Sequence, residues 1–92
     1  MNQAQLLNEV SEVSERIAEH RAWAEITFKC LEDGDILVRF THYDKRYPRG
    51  NRSIFLFSFW KEEKMKAWHC QLDKVFEGDL IDESQQSNRN EY

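Results

Sequence analysis

The segment from 42 to 52 concentrates residue types that bind charged partners. Arginine forms paired hydrogen bonds with phosphates and carboxylates, and tyrosine stacks on bases or fills a pocket on a protein. The segment therefore suits an acidic protein surface or a single-stranded nucleic acid. A third interpretation is an ordinary solvated loop whose tyrosines fold back on the domain. Its candidate contact residues are Tyr43, Lys45, Arg46, Tyr47, Arg49 and Arg52.

No catalytic or metal-binding motif accompanies this segment. The possible ligands are His20, His42, His69, Cys30 and Cys70, and no CxxC or HxxxH pair occurs among them. A GxSxG signature is absent from the sequence, and its three glycines are isolated, so no phosphate-binding loop is expected. We therefore predict a protein that is not an enzyme, with no catalytic residues, metal, cofactor or small-molecule substrate.

Length and composition indicate one domain in water. The chain has 92 residues, 33% of them charged, and a net charge of -4, which suits one core but not two. Its longest apolar run is far shorter than the roughly 20 residues of a membrane-spanning helix. The first residues lack the basic start of a signal peptide, so we expect a cytoplasmic protein that contacts no membrane. In that compartment both cysteines are expected to be free and buried.

The first part of the chain has a helical pattern. Leu6, Val10, Val13 and Ile17 recur at steps of four, three and four residues, which places them on one stripe of a helix over 5–20. Glutamates occupy much of the remaining surface. The stripe suits packing on a sheet of the same domain, and its two heptads also permit self-association as a short coiled coil.

After residue 23 the apolar period changes from 3.6 to 2, which predicts two strands on either side of Glu32-Asp33-Gly34. A two-residue turn at Asp33-Gly34 would set Phe28 opposite Arg39, and it would mix apolar with polar residues on both faces.

A three-residue loop, with Gly34 in the left-handed conformation, gives a consistent register instead. It pairs Cys30 with Ile36, Phe28 with Val38 and Ile26 with Phe40, so that one face is apolar. We predict this register. The other face then carries Leu37 and Arg39, which we include among the partner-binding residues.

The next strand, predicted over 53–60, is apolar on both faces. An eleven-residue connection, 42–52, precedes it. We expect the phenylalanines at 55, 57 and 59 to point toward the helices, so that Ile54 and Leu56 emerge beside Leu37. That patch predicts self-association or a bound partner on the outer side of the strand. In the opposite orientation, three phenylalanines would be exposed there.

A second helical pattern follows over 61–76, with Met65, Trp68 and Leu72 on its apolar stripe and Gly78 as a stop signal. Trp68 and Phe28 are expected to be core residues. The fold class is therefore α+β: a helix, a three-stranded antiparallel sheet and a helix, with both helices on one sheet face. We assign residues 1–78 to this domain and 79–92 to a mostly disordered acidic and polar tail.

This order of elements resembles that of double-stranded RNA-binding domains. Lys61, Lys64 and Lys66 at the start of the second helix are similar to the basic helix start of that family. Glu62 and Glu63 interrupt the basic run, and the first helix and the first hairpin turn are acidic. The resemblance is one of topology, and it implies no RNA-binding residue here.

We therefore expect a small macromolecule-binding protein whose partner is another protein, acting as an inhibitor, an immunity-type factor, a regulator or an adaptor. A homodimer is a further possibility. The alternative is a nucleic-acid-binding module that uses the 42–52 segment together with Lys29 and Arg39.

Overall fold

The computed structural model describes residues 1–82 and has the predicted order of elements. It comprises α1 (Gln3–His20), β1 (Ala24–Cys30), β2 (Ile36–Tyr43), β3 (Asn51–Phe57) and α2 (Glu62–Phe76). The three strands form one antiparallel sheet in the order β1-β2-β3, so that β2 is central. The α+β fold class is thus confirmed. No helix within residues 1–82 is long and apolar enough to cross a membrane.

Helix α1 begins two residues earlier than the apolar stripe predicts, because its start is capped. The Asn2 side chain accepts a hydrogen bond from the Gln5 backbone N–H, and the Gln5 side chain accepts one from the Asn2 N–H. This reciprocal capping box satisfies two backbone donors at the helix start. The helix ends at His20, and its C-cap residue Arg21 adopts the left-handed conformation with φ of 52°.

The β1–β2 hairpin has the predicted register. Cys30 pairs with Ile36, Phe28 with Val38 and Ile26 with Phe40. Leu31 and Asp35 close the three-residue loop through a 2.7 Å backbone hydrogen bond. Within the loop, Gly34 has a φ of 92°, a conformation that glycine adopts at no steric cost.

The orientation predicted for β3 is wrong. Val38 pairs with Leu56 and Phe40 with Ile54, so Ile54 and Leu56 lie on the same face as the core residues of β2. Their side chains are 3% and 0% exposed. The alternation of the strand could not decide this, because both of its faces are apolar. Phe55 consequently points away from the helices. This orientation does not expose three phenylalanines, however, because Phe57 is 2% exposed and packs against Phe59 and Trp60.

The connection between β2 and β3 is shorter than predicted. Strand β2 continues to Tyr43 and β3 begins at Asn51, which leaves residues 44–50 as the connecting loop. Tyr43 pairs with Asn51 and His42 with Arg52. The apolar alternation could not predict these pairs, because the residues at both strand ends are polar. The 44–50 loop closes through a 3.0 Å hydrogen bond from the Asp44 N–H to the Gly50 carbonyl.

Both helices pack on the sheet face that carries Ile36, Val38 and Phe40. Leu6 and Val13 of α1 belong to this core, as do Trp68, Leu72 and Val75 of α2. An ion pair of 3.0 Å between Arg16 and Asp73 joins the two helices at the surface.

Three burial predictions were wrong. Phe28 is 52% exposed, because β1 is an edge strand and its side of the core is only partly covered. Cys30 and Cys70 are free, as predicted, but both are exposed. The apolar neighbours of a cysteine in the sequence therefore do not decide its burial here.

The first residues of the predicted tail pack on the domain. Ile81 is 1% exposed and belongs to the core. Asp82 accepts hydrogen bonds from Lys74 at 2.7 Å and from Gln71 at 3.2 Å. The rest of the predicted disordered tail, 83–92, lies outside the described residues.

Candidate functional site

The arginines of the 42–52 segment are largely engaged within the domain. The guanidinium of Arg46 donates two hydrogen bonds to the Asp44 carboxylate, at 3.0 and 2.9 Å, and one to the Gly78 carbonyl at 3.1 Å. The hydrogen bonds from Arg46 hold the pKa of Asp44 at about 2. Arg52 donates to the Ile81 carbonyl at 3.1 Å. Arg46 thus joins the 44–50 loop to the segment after α2, and Arg52 joins β3 to the same segment.

Tyr47 is buried rather than available to a partner. It is 3% exposed, and its Oη accepts a hydrogen bond from the Ile81 N–H at 2.8 Å. The same oxygen lies 2.8 Å from Nδ1 of His42, which is itself buried. Burial raises the pKa of Tyr47, so the phenol keeps its proton and can donate it to Nδ1 of a neutral His42. Arg52 stacks over the Tyr47 ring at 5.0 Å.

Only part of the predicted contact segment therefore faces solvent. Lys45 and Arg49 are exposed, and Tyr43 is half-buried at the end of β2. Arg46 is exposed as well, but it donates to the Asp44 carboxylate and the Gly78 carbonyl. Tyr47 is buried and Arg52 is half-buried, and both contact the Ile81 backbone. The third interpretation of this segment, a loop whose tyrosine folds back on the domain, describes Tyr47 well.

The buried His42 predicts a dependence of stability on pH. Burial lowers the pKa of His42 below its ordinary 6.5, and Arg46 lowers it further, although Asp44 partly opposes them. The unfolded chain then takes up the proton at a higher pH than the folded protein does, so the free energy of unfolding falls as the pH drops below 6.5.

This prediction can be measured by urea unfolding at about pH 7.5 and at about pH 5.5. The variant His42→Asn keeps an acceptor near Tyr47 but does not titrate, so it should lose less stability over this interval than the wild-type protein. His20 and His69 are present in both proteins and cancel in the comparison. Equal losses would contradict a role for His42.

The second candidate surface is the sheet face remote from the helices, which we call the outer sheet face. No helix within residues 1–82 packs on it. At its centre is a shallow groove with a volume of about 240 Å³. The residues that line this groove are Thr27, Phe28, Lys29, Leu37, Arg39 and Phe55.

The groove combines apolar side chains with positive charge. Leu37 and Phe55 are partly exposed at its floor, whereas Lys29 and Arg39 are exposed beside them. No carboxylate lines the groove, although the chain as a whole has a net charge of -4. The arrangement can bury an apolar side chain of a partner while two cations attract its acidic neighbours.

An aromatic pair lies farther along the outer sheet face. The Trp23 ring stacks on Tyr43 with centroids 5.4 Å apart, and Trp23 is 64% exposed. The Tyr43 hydroxyl donates to the Glu25 carboxylate, and this hydrogen bond raises the pKa of Tyr43. Such a pair offers an exposed ring to a flat or apolar ligand group.

The structure divides the four partner-binding residues predicted outside the 42–52 segment between two places. Leu37 and Arg39 lie at the groove, as their position in the hairpin register indicates, whereas Ile54 and Leu56 are in the core. Sequence reasoning missed Phe55 because it was assigned to the opposite face. It also missed Trp23, whose position two residues before Glu25 in the alternation could have placed it on the outer sheet face.

A comparison with protein-family models, curated proteins and solved structures finds no match. The topological resemblance to double-stranded RNA-binding domains has no family match to support it.

Proposed function

We propose that this chain is a small, non-enzymatic protein-binding domain that acts as an inhibitor, an immunity-type factor, a regulator or an adaptor. Its contact surface is the groove on the outer sheet face. One observation carries the proposal: Leu37 and Phe55 form an apolar floor that no helix within residues 1–82 covers, with Lys29 and Arg39 at its side. Partly exposed apolar residues bordered by charge are typical of protein contact surfaces.

The charge of the groove specifies the kind of partner. Two cations and no carboxylate favour a partner that presents an apolar side chain flanked by Asp or Glu. The exposed Lys45 and Arg49 of the 44–50 loop add positive charge to the domain but no apolar surface. The loop can therefore contribute only electrostatic attraction, whereas the groove can also bury an apolar side chain of the partner.

Single-stranded nucleic acid is the second candidate ligand. The observation in its favour is the exposed Trp23 ring stacked on Tyr43, on the face that also carries Arg39. Bases stack on such rings while arginine contacts the phosphates. Against it, Arg46 and Arg52 already donate to acceptors within the domain, so two of the four cations of the 42–52 segment would have to exchange those acceptors for phosphates.

Leu37→Ser and Arg39→Glu are expected to weaken partner capture by about tenfold or more, because burying one leucine contributes roughly 1.5–3 kcal/mol. The matched controls are Leu7→Ser, at an exposed leucine of α1, and Lys66→Glu, at an exposed lysine of α2. The measurement is cross-linking in cells that express each variant, followed by purification and mass spectrometry. Thermal melting checks that every variant is folded.

The proposal requires proteins that wild-type and control chains capture after nuclease treatment and that both groove variants lose. Equal capture by the groove variants and the controls would refute it. If nuclease removes everything bound, and binding weakens steeply between low and physiological salt, the ligand is a nucleic acid.

A further inference from the structure

Strand β1 has an open edge. Hydrogen bonds from the Tyr43 N–H to the Trp23 carbonyl and from the Leu31 N–H to the Asp35 carbonyl mark which residues of this hairpin face β2. These are the odd-numbered residues. Along a strand of an antiparallel pair, the backbone groups of successive residues point alternately toward the paired strand and away from it. The backbone N–H and C=O groups of the even-numbered residues of β1 therefore point away from the sheet. No hydrogen bond satisfies them within residues 1–82.

This edge lacks several of the features that normally prevent strand pairing, although the exposed Glu25 and Lys29 place charge on it. Strand β1 contains no proline or glycine, and all seven of its residues pair with β2 without a bulge. Two side chains on its even-numbered positions, Phe28 and Cys30, are exposed. An open edge of this kind, with exposed apolar residues, can pair with a strand whose charges complement Glu25 and Lys29.

We propose that β1 pairs with β1 of a second copy of this chain, antiparallel and centred on Thr27, to form a six-stranded sheet across a twofold axis. The strand Ala24–Cys30 is self-complementary about that centre. Glu25 faces the partner's Lys29, and Ile26 faces the partner's Phe28, each pair occurring twice. Opposite charges and apolar pairs directly across a strand pair both stabilise it.

The backbone selects the same register. The hydrogen-bonding residues of the free edge are even-numbered, and centring on Thr27 pairs even residues with even residues, such as Ile26 with the partner's Phe28. If the pairing were centred on Phe28, Lys29 would face the partner's Thr27. If it were centred on Ile26, Glu25 would face the partner's Thr27. Either shift loses both charge pairs and leaves strand residues unpaired. Centring on Thr27 pairs all seven.

The contact of Glu25 with Tyr43 is compatible with this arrangement. Tyr43 donates to Oε1 of Glu25, which leaves Oε2 for the partner's Lys29. A contact through the groove itself is less favourable for two identical chains, because it would set Lys29 and Arg39 of one copy against the same cations of the other. Charge thus favours the edge for self-association.

A charge swap tests the pairing. Glu25→Lys alone or Lys29→Glu alone places like charges opposite each other at two symmetric sites, and each is expected to weaken the dimer by about tenfold or more. The double variant Glu25→Lys/Lys29→Glu reverses both pairs and should restore it. Tyr43→Phe is the control for the lost Tyr43–Glu25 hydrogen bond. Sedimentation equilibrium measures each dimer constant, and circular dichroism checks the fold.

A cysteine at the centre of the strand tests the register. Thr27→Cys, in a chain with Cys30→Ser and Cys70→Ser, should form a disulfide between copies under mild oxidation. A residue facing itself in a non-hydrogen-bonded pair has a Cα separation of about 4.5 Å, which a disulfide can span. Glu25→Cys in the same background should not cross-link, since the two copies of residue 25 are offset by about 13 Å along the strand.

A dimer with the swap pattern and the Thr27→Cys cross-link supports the proposal. A wild-type chain that stays monomeric up to about 100 µM overturns it. A dimer that ignores the single swaps, that the double swap fails to restore, or that does not cross-link at residue 27 overturns it as well, because its contact lies elsewhere or in another register.

Discussion

Replacing Trp68 by alanine is expected to remove about 3–5 kcal/mol from the free energy of unfolding, the usual cost of truncating a buried aromatic side chain. A domain of this size has a total stability of about 5–15 kcal/mol, so the variant loses a large fraction of it and, if the total is about 5 kcal/mol, is partly unfolded near room temperature. Trp68 is 2% exposed and is among the largest fully buried side chains of the domain.

The indole also has a polar role. Its Nε1–H donates to Oε1 of Glu9 at 3.0 Å, and the same oxygen lies 2.9 Å from Nε2 of His69. Glu9 is only 6% exposed, so these contacts satisfy a carboxylate that α1 brings to the helix interface. Trp68→Phe keeps most of the ring volume but removes this donor. It should cost about 1–3 kcal/mol, less than the alanine variant.

Phe28→Ala is the comparison that isolates burial. Phe28 is 52% exposed on edge strand β1, and its truncation should cost well under half as much as that of Trp68. Urea unfolding with a common m-value compares the three variants. A Trp68→Ala protein with wild-type stability, or a Phe28→Ala protein as unstable as Trp68→Ala, would contradict this assignment of the core.

Trp68 and Phe28 show which structural features the sequence pattern predicts and which it does not. Periodicity placed both on the correct face of their element: Trp68 on the stripe of α2 and Phe28 opposite Val38. It could not show how far each face is covered. Coverage depends on where the helices lie over the sheet, and β1 is at its edge. A register is local, whereas burial is a property of the assembled layers.

Strand β3 shows a second limit. The hairpin register followed from the pattern because only one pairing of β1 with β2 separates apolar from polar residues. In β3 the alternation offers Ile54 and Leu56 on one side and phenylalanines on the other, and either side could fill a core. The pairing with β2, set by the 44–50 loop, decides that the aliphatic side faces inward. Phe55 is thereby left at the groove.

The groove and the edge of β1 are predictable to different degrees. Leu37 and Arg39 follow from the hairpin register alone, and so does the self-complementary order of residues along β1. The groove also needs Phe55 and therefore the orientation of β3. The two surfaces share Lys29, which lines the groove and would face Glu25 of a second copy. A dimer would consequently place two grooves on one continuous sheet.

The basic segment shows why composition misleads about contact residues. Arginine and tyrosine are enriched at interfaces with other molecules, but the same chemistry also joins parts of one chain. Arg46 donates to the Gly78 carbonyl and Arg52 to the Ile81 carbonyl. These acceptors are backbone oxygens just after the end of α2 and in the predicted tail, and no sequence pattern identifies such pairs in advance.

Replacing Tyr47 by alanine is expected to be nearly as damaging as the Trp68 change, at about 3–5 kcal/mol. Tyr47 is 3% exposed, and its hydroxyl connects the buried His42 to the Ile81 backbone. Removing the ring leaves a cavity beneath Arg52 and releases the segment after α2. If this loop were a solvated contact site, the same change would leave stability unaltered.

Tyr47→Phe separates the hydroxyl from the ring. It preserves the packing but leaves Nδ1 of His42 and the N–H of the buried Ile81 without their partner, at a cost of about 1–3 kcal/mol. The Ile81 amide should then exchange faster with solvent hydrogen. Amides in the β1–β2 hairpin should still exchange with a free energy equal to that of global unfolding of the variant. Arg49→Ser, at an exposed position in the same loop, is the control and should change neither quantity. A Tyr47→Phe protein with wild-type stability and an unchanged Ile81 amide would show that the hydroxyl does not hold this segment to the core.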